Sequence, residues 1–206
     1  MEIIAQYSFN DGEEVLQAQH KQELEEVKEV ISSVVGSRLK TKISKEKTMP
    51  GKALYSPRAL NKEFRSLFEE RSWRTGTAAR INVMTFVPEI GQEHKGFREM
   101  DAIKNNVGVE VQFGKYAFMV YNVAAKMTIF ANQGLIDSGI EIVPMLGLAS
   151  EMSTGVSYFE QIKTDLEIRG VSNIDIPVLI LGIDVTRRSF LLSEWIRKKT
   201  DTKNKP

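Results

Sequence analysis

The residues best suited to chemistry lie between Asp101 and Lys115, in the run Asp-Ala-Ile-Lys-Asn-Asn-Val-Gly-Val-Glu-Val-Gln-Phe-Gly-Lys. Residues 107–113 alternate as a strand does, and successive strand side chains point to opposite faces. Val107, Val109, Val111 and Phe113 share one face; Gly108, Glu110, Gln112 and Gly114 share the other. The second face offers a carboxylate and an amide about 6.6 Å apart, between glycines that leave room for an approaching group. A turn near Lys104-Asn105-Asn106 lets a short preceding strand bring Asp101, nine residues before Glu110, beside it. Two converging carboxylates bind a hard divalent cation, with Mg²⁺ the expected ion and the main-chain carbonyl of Val111 available as a further oxygen ligand. Such an ion polarises a phosphoryl oxygen, lowers the pKa of a bound water and stabilises a leaving alkoxide. Phosphodiester hydrolysis needs roughly 20 kcal/mol of barrier reduction, and a positioned metal in a dry basic pocket is a source of it. A Glu and a Gln on the polar face of a half-buried strand are common in any protein, so spacing alone leaves a plain structural reading open.

The elements that must position these residues can be read from periodicity. Residues 2–8 suit a short strand. Asn10 and Glu13 have capping-box spacing before a helix over about 13–35, which places Leu24, Val27, Ile31 and Val34 on one face and ends at Gly36. Residues 37–55 read as a long basic loop. Ser56-Pro57 caps a helix to about residue 71, with Leu60, Phe64, Leu67 and Phe68 on its apolar face. Strands are predicted at 81–87, 107–113, 139–143 and 177–183, the last fully apolar as at the centre of a sheet. Residues 88–100 read as a polar loop holding a solvated His94. A buried helix covers 116–132, ended by Gly134, and another covers about 157–168 after a Ser/Thr/Gly loop at 149–157. A last short helix is predicted over 190–199, then a frayed basic tail at 200–206. Interleaved helices and strands make the class α/β, with a mixed central sheet flanked by helices in a single domain over 1–206. His20 reads as surface, and Trp73 and Trp195 as packing residues.

Composition narrows the function. The chain of 206 residues has no cysteine, which removes disulfides, thiolate–zinc sites, iron–sulfur clusters and cysteine nucleophiles. No long apolar run and no basic-then-apolar leader is visible, so the expected location is the cytoplasm. The formal net charge of +1 conceals segregation. Residues 38–80 carry twelve Lys/Arg against four Glu, and residues 187–206 seven Lys/Arg against two acids, whereas residues 81–186 carry thirteen acids against seven Lys/Arg. Basic ends around an acidic middle can grip a polyanion while keeping carboxylates for a metal. No Gly-rich phosphate loop and no Ser-His-Asp pattern is present, so nucleotide-hydrolase and serine-hydrolase readings lack support.

Glu110 to Tyr116 (Glu-Val-Gln-Phe-Gly-Lys-Tyr), with Asp101 upstream, resembles the active-site strand of the BglII/BstYI-type restriction endonucleases of the PD-(D/E)xK nuclease superfamily. Three further stretches resemble the same group, its BstYI branch most closely, and in the same order: Lys42 to Lys47 with Leu54-Tyr55-Ser56-Pro57 and Ala59-Leu60-Asn61; Gly139 to Met145; and Glu151 to Tyr158. The resemblance spans roughly residues 40–183. It implies a restriction-endonuclease-like fold and a homodimer built on the early helices and the helix after the catalytic strand. It implies Mg²⁺-dependent cleavage of both strands of a palindromic, six-base, GATC-centred duplex site, and functional pairing with a cognate DNA methyltransferase. Asp101, Glu110 and Gln112 match the catalytic positions, with Gln112 where most of the superfamily has Lys. Asp101, Glu110 and the Val111 carbonyl match the metal ligands. Lys115, Ser153, Thr154 and Ser157 match positions that reach bases, and Lys42, Lys45 and Lys47 would touch phosphates from the 37–55 loop, which the resemblance makes DNA-contacting. Thr154 departs from the serine expected there, which puts its base preference in doubt.

Two other readings stay open at this level. One is a structure-selective or repair nuclease of the same fold, which would cut by DNA shape rather than sequence. The other is a sequence-specific DNA-binding protein without activity, which the Gln at position 112 keeps in view.

Overall fold

The computed structural model describes residues 1–185; the helix and tail expected over 190–206, with Trp195, lie outside them. The chain runs β1 (Glu2–Phe9), α1 (Gly12–Gln19), α2 (Lys21–Ser33), β2 (Lys42–Ile43), β3 (Ala53–Leu54), α3 (Pro57–Glu70), β4 (Arg80–Val87), β5 (Gln92–Glu99), β6 (Ala102–Lys104), β7 (Val107–Val111), α4 (Tyr116–Tyr121), α5 (Met127–Asn132), β8 (Ser138–Pro144), α6 (Leu146–Ala149), α7 (Phe159–Arg169) and β9 (Val178–Asp184). Five strands form one sheet in the order β1-β9-β8-β7-β6. β8 lies parallel to both β7 and β9, while the outer strands β1 and β6 run antiparallel to their neighbours. The sheet is therefore mixed, as alternation and apolar runs predicted.

Every residue of β7, β8 and β9 is buried, because helices cover both faces. On one face Leu24, Val27 and Ile31 of α2 and Leu60, Phe64 and Phe68 of α3 pack with Val107, Val109, Val111 and Phe113. On the other, Met119, Met127 and Phe130 pack with Phe159, Ile162, Val143 and Ile180. Fully burying one such side chain stabilises by about 1.5–3 kcal/mol. α3 starts as its sequence dictates: Ser56 Oγ accepts the Ala59 N–H at 3.3 Å and Pro57 follows.

Four expectations are corrected. The helix read as 13–35 is two helices broken at His20, which is buried, with Nε2 2.8 Å from Asp137 Oδ1. A charged partner across the chain, not solvent, holds that side chain. Asn10 makes no capping box; it sits at φ 50°, and its amide donates to the Asp175 carbonyl at 2.8 Å. Within the predicted 37–55 loop, a short β2–β3 ladder pairs Lys42 with Leu54 and Ile43 with Ala53. Most of the predicted 88–100 loop is strand β5, paired with β4 from Arg80↔Glu99 to Val87↔Gln92. The 3₁₀ turn Pro88–Ile90 and Gly91 at φ 60° reverse the chain. The alternation rule misses β5 because most of its residues are exposed and polar, and backbone pairing with β4 holds it in place of a core. His94 is exposed on this ribbon, opposite Thr85.

Candidate active site

The site is built on the β6–β7 hairpin. Asn105 and Asn106 take positive φ, 44° and 66°, which closes a two-residue turn that asparagine tolerates better than most residues. The register Lys104↔Val107, Ile103↔Gly108, Ala102↔Val109 then sets Asp101, the next residue, across from Glu110. Asp101 Oδ2 accepts the Val111 N–H at 2.8 Å, so the carboxylate is tied to the strand that carries Glu110.

The two acids differ in surroundings. Asp101 opens onto a cleft of about 320 Å³, whose walls include Asn61, Lys62 and Arg65 of α3, Glu99 and Val111. Crowding by protein atoms raises its carboxyl above the usual range, and the Val111 N–H partly offsets this. Glu110 is 3% exposed. Burial, then the neighbouring Asp101 charge, pushes its carboxyl up to about 8, against the pull of the Lys126 ammonium. In parallel register beside it lies Glu141, fully buried, its carboxyl held well above the usual range by burial and by the Glu110 charge. Glu141 Oε1 accepts from Asn122 Nδ2 at 3.2 Å, while Oε2 has no hydrogen-bond partner. Among the described residues no group of three or more His, Cys, Asp or Glu forms a ready metal cage. A cation here would draw on two side-chain carboxylates and main-chain oxygen. The donors are all hard oxygens, and the crowding that raises both carboxyls is relieved by a cation, so the residues fit a divalent ion.

The glycines flanking Glu110 do not leave the space expected of them. A Cβ at Gly108 would stand 2.4 Å from Met100 Sδ, and one at Gly114 would stand 3.1 Å from Gln112 Nε2. Neighbouring side chains occupy both gaps. Gln112 lies just past the end of β7, half-buried, with Nε2 donating to the Lys115 carbonyl at 3.3 Å.

Further along, the predicted DNA-contacting residues gather where the β2–β3 loop meets the loop before α7. Lys115 is exposed and its backbone bridges to Val156. Lys42 Nζ meets the Ser153 hydroxyl and lies 3.6 Å from Glu46. Thr154 donates its backbone N–H to Glu46 Oε2 at 2.9 Å, and its hydroxyl bonds to the same oxygen. Neither Ser153 nor Thr154 caps α7, whose N-cap is Tyr158. Lys45 and Lys47 are exposed on the same loop. Ser157 stands apart from expectation. It is 1% exposed, and its hydroxyl donates to the Gly114 carbonyl at 2.9 Å. It ties the loop before α7 to the residues just past β7, and burial turns it away from any partner at the surface.

Sequence reasoning missed Glu141, Lys126 and the α3 wall. A signal existed for the first two: Glu141 is the one acid in an otherwise apolar strand, and Lys126 the one charge in residues 116–132. Asn61, Lys62 and Arg65 carry no such mark, being ordinary residues on the polar face of an amphipathic helix.

Comparison with known proteins bears on the family and the fold. The sequence profile of the family described as "Restriction endonuclease BglII/BglIII" matches residues 4–183. Among solved structures, the restriction endonuclease BglII complexed with a DNA 16-mer superposes with a TM-score of 0.68 at 20% identity, covering 88% of this chain and 76% of that one. Comparison with curated protein sequences gave no match.

Proposed function

The chain belongs to the BglII/BglIII restriction endonucleases, and from that premise we propose that this site-specific deoxyribonuclease cuts both strands of a palindromic, GATC-centred six-base duplex site with Mg²⁺. The observation that carries the catalytic assignment is the β6–β7 register, which sets Asp101 across from Glu110 at the edge of the α3 cleft. Asp101, Glu110 and the Val111 carbonyl would hold the ion. When bound, it would polarise the scissile phosphate and acidify a water. Gln112, at the mouth of the strand, cannot accept a proton as a base does; its amide orients water or phosphate. Lys62 and Arg65 on α3 face the phosphate that the cleft would take, and Arg65 already lies 3.9 Å from Glu99. Lys42, Lys45 and Lys47 grip backbone phosphates irrespective of sequence. Lys115, Ser153 and Thr154 read base edges, with lysine suited to guanine O6 and N7 and hydroxyls to either donor or acceptor. A palindrome calls for a two-fold homodimer, one site per strand. The sequence motifs resemble the BstYI branch of the PD-(D/E)xK superfamily, and a cognate methyltransferase would protect the host's own sites.

Plasmid DNA incubated with the purified protein and Mg²⁺, with the product ends sequenced, tests this. One shared palindrome at every end is the expected result, and Asp101→Ala or Glu110→Ala should abolish cleavage while leaving the melting temperature and the oligomeric state in place. Wild-type cleavage by either variant would overturn the site assignment, and ends that follow DNA structure rather than sequence would overturn the base-reading loop.

A further inference from the structure

Glu110 has a cationic partner that neither the motif nor the family match assigns. Residues 116–132 hold a single charge, Lys126. Between α4 and α5 the helix widens into a π-helical turn over Asn122–Lys126. Such a turn inserts an extra residue into the helix, so side chains beyond it are rotated relative to an unbroken helix, and it is enriched at functional sites. Here its two ends both meet the sheet's acids: Asn122 donates to Glu141, and Lys126 Nζ stands 2.6 Å from Glu110 Oε1. The Lys126 side chain is 13% exposed and that of Glu110 4%. Asp101, Glu110 and Glu141 thus stand at neighbouring strand positions, with the Lys126 ammonium against Glu110.

We propose that Lys126 is a positioning residue for the nuclease reaction: it clamps Oε1 of Glu110 and offsets the neighbouring acids, so that the carboxylate keeps one orientation and turns its other oxygen to the metal beside Asp101. The proposal rests on the nuclease reading above. Three features separate it from ordinary packing. A largely buried ammonium is costly to desolvate, and Val123 and Met127, in and next to the same turn, belong to the apolar core, so a methionine would fill the space at lower cost. A carboxylate has two oxygens, so a clamp on one leaves the other for a metal. The helix would present an unbroken i, i+4 pattern if burial were its only task; the π turn instead brings Asn122 and Lys126 to neighbouring acids on two parallel strands.

The test uses the full-length protein and compares wild type with Lys126→Met, Lys126→Arg and Asp101→Ala. Melting temperature reports folding, duplex affinity is measured with Ca²⁺, Mn²⁺ binding is measured by its electron-spin signal, and single-turnover cleavage is followed against Mg²⁺ concentration. Lys126→Met should cut about 10–100-fold more slowly, or need correspondingly more Mg²⁺, as expected for loss of a residue that orients a metal ligand. Duplex affinity should stay within about twofold, since Lys126 faces the sheet, and Lys126→Arg should restore most of the rate. Should Lys126→Met fail to fold, Lys126→Met with Glu141→Leu removes one buried acid along with the cation, and the same loss of rate is expected in it. Cleavage and Mg²⁺ dependence equal to wild type in a folded Met variant would overturn the proposal and leave the nuclease reading intact. So would a loss that arginine does not restore and that follows melting temperature or duplex affinity. Wild-type protein that neither cuts DNA nor binds Mn²⁺ more tightly than Asp101→Ala would overturn the nuclease site itself, and the proposal with it.

Discussion

Two hydroxyls three residues apart, Thr154 and Ser157, have opposite surroundings. Ser157 spends its hydroxyl inside the protein, on the Gly114 carbonyl, and its backbone N–H reaches the same oxygen at 2.9 Å. Thr154 is exposed, and its partners, Glu46 and the Thr48 hydroxyl at 3.4 Å, are side chains of a facing loop. Ser157→Ala should therefore lower stability by about 1 kcal/mol, the net worth of one buried hydrogen bond, and slow cleavage of every site alike by loosening the end of the catalytic strand. Thr154→Ala should leave chemical denaturation within about 0.5 kcal/mol of wild type, as exposed substitutions do, and change the relative cleavage of sites that differ in one base pair. Denaturation midpoints and cleavage rates on a panel of single-base variants check both. Equal effects of the two substitutions on the base-pair panel would mean that the buried serine reads DNA after all.

At the scale of elements, what could be read in the sequence was whatever a core imposes. β7 and β9 were legible because burial leaves alternation or an apolar run, and α3 because Leu60, Phe64 and Phe68 repeat at helical spacing behind a serine–proline cap. The β6–β7 turn was legible from Asn105-Asn106, and with it the approach of Asp101 to Glu110. β5 was not, since no core marks it, and neither was the break at His20, whose side-chain partner, Asp137, is distant in sequence. The Lys126 contact depends on a π turn, which leaves no periodicity to read. The turn makes a direct prediction: Asn106→Ala places a Cβ-bearing residue without asparagine's tolerance at φ 66°, and should cost about 1–2 kcal/mol while reducing cleavage more than duplex binding, because Asp101 hangs on that register. A second concerns pH. Asp175 closes the turn between α7 and β9; burial alone would raise its carboxyl, but the paired bonds from Arg169 at 2.7 and 2.9 Å and the Ser172 N–H at 2.8 Å hold it below the usual range. A depressed folded pKa contributes stability that is complete above the unfolded value of 3.8 and is lost as pH falls through the folded one. Asp175→Asn should flatten that part of the acid limb in a melting series taken below about pH 4, whereas an unchanged acid limb would locate the acid sensitivity elsewhere.

For the whole molecule, the proposed function assigns grip and chemistry to differently placed charges. The acids that hold the candidate metal site lie under the sheet and at the cleft edge, while Lys45 and Lys47 stand exposed on the β2–β3 loop. Lys42, on β2 beside that loop, is partly engaged, shared between Ser153 and Glu46. Phosphate contacts release counterions, so each neutralised phosphate steepens the fall of log K with log salt by about 0.9. Lys45→Ala and Lys47→Ala should each reduce the slope by roughly that amount and weaken matched and mismatched duplexes equally. Lys42→Ala should behave differently, because its removal also releases Glu46 and Ser153. Part of its effect should then fall on discrimination between sites, through the loop that holds Thr154. Binding isotherms over a range of salt, on one matched and one mismatched duplex with Ca²⁺ in place of Mg²⁺, separate the two kinds of lysine. If all three substitutions shift the two duplexes in parallel, the β2–β3 loop serves only as a grip, and the Glu46–Thr154 contact has no share in sequence recognition.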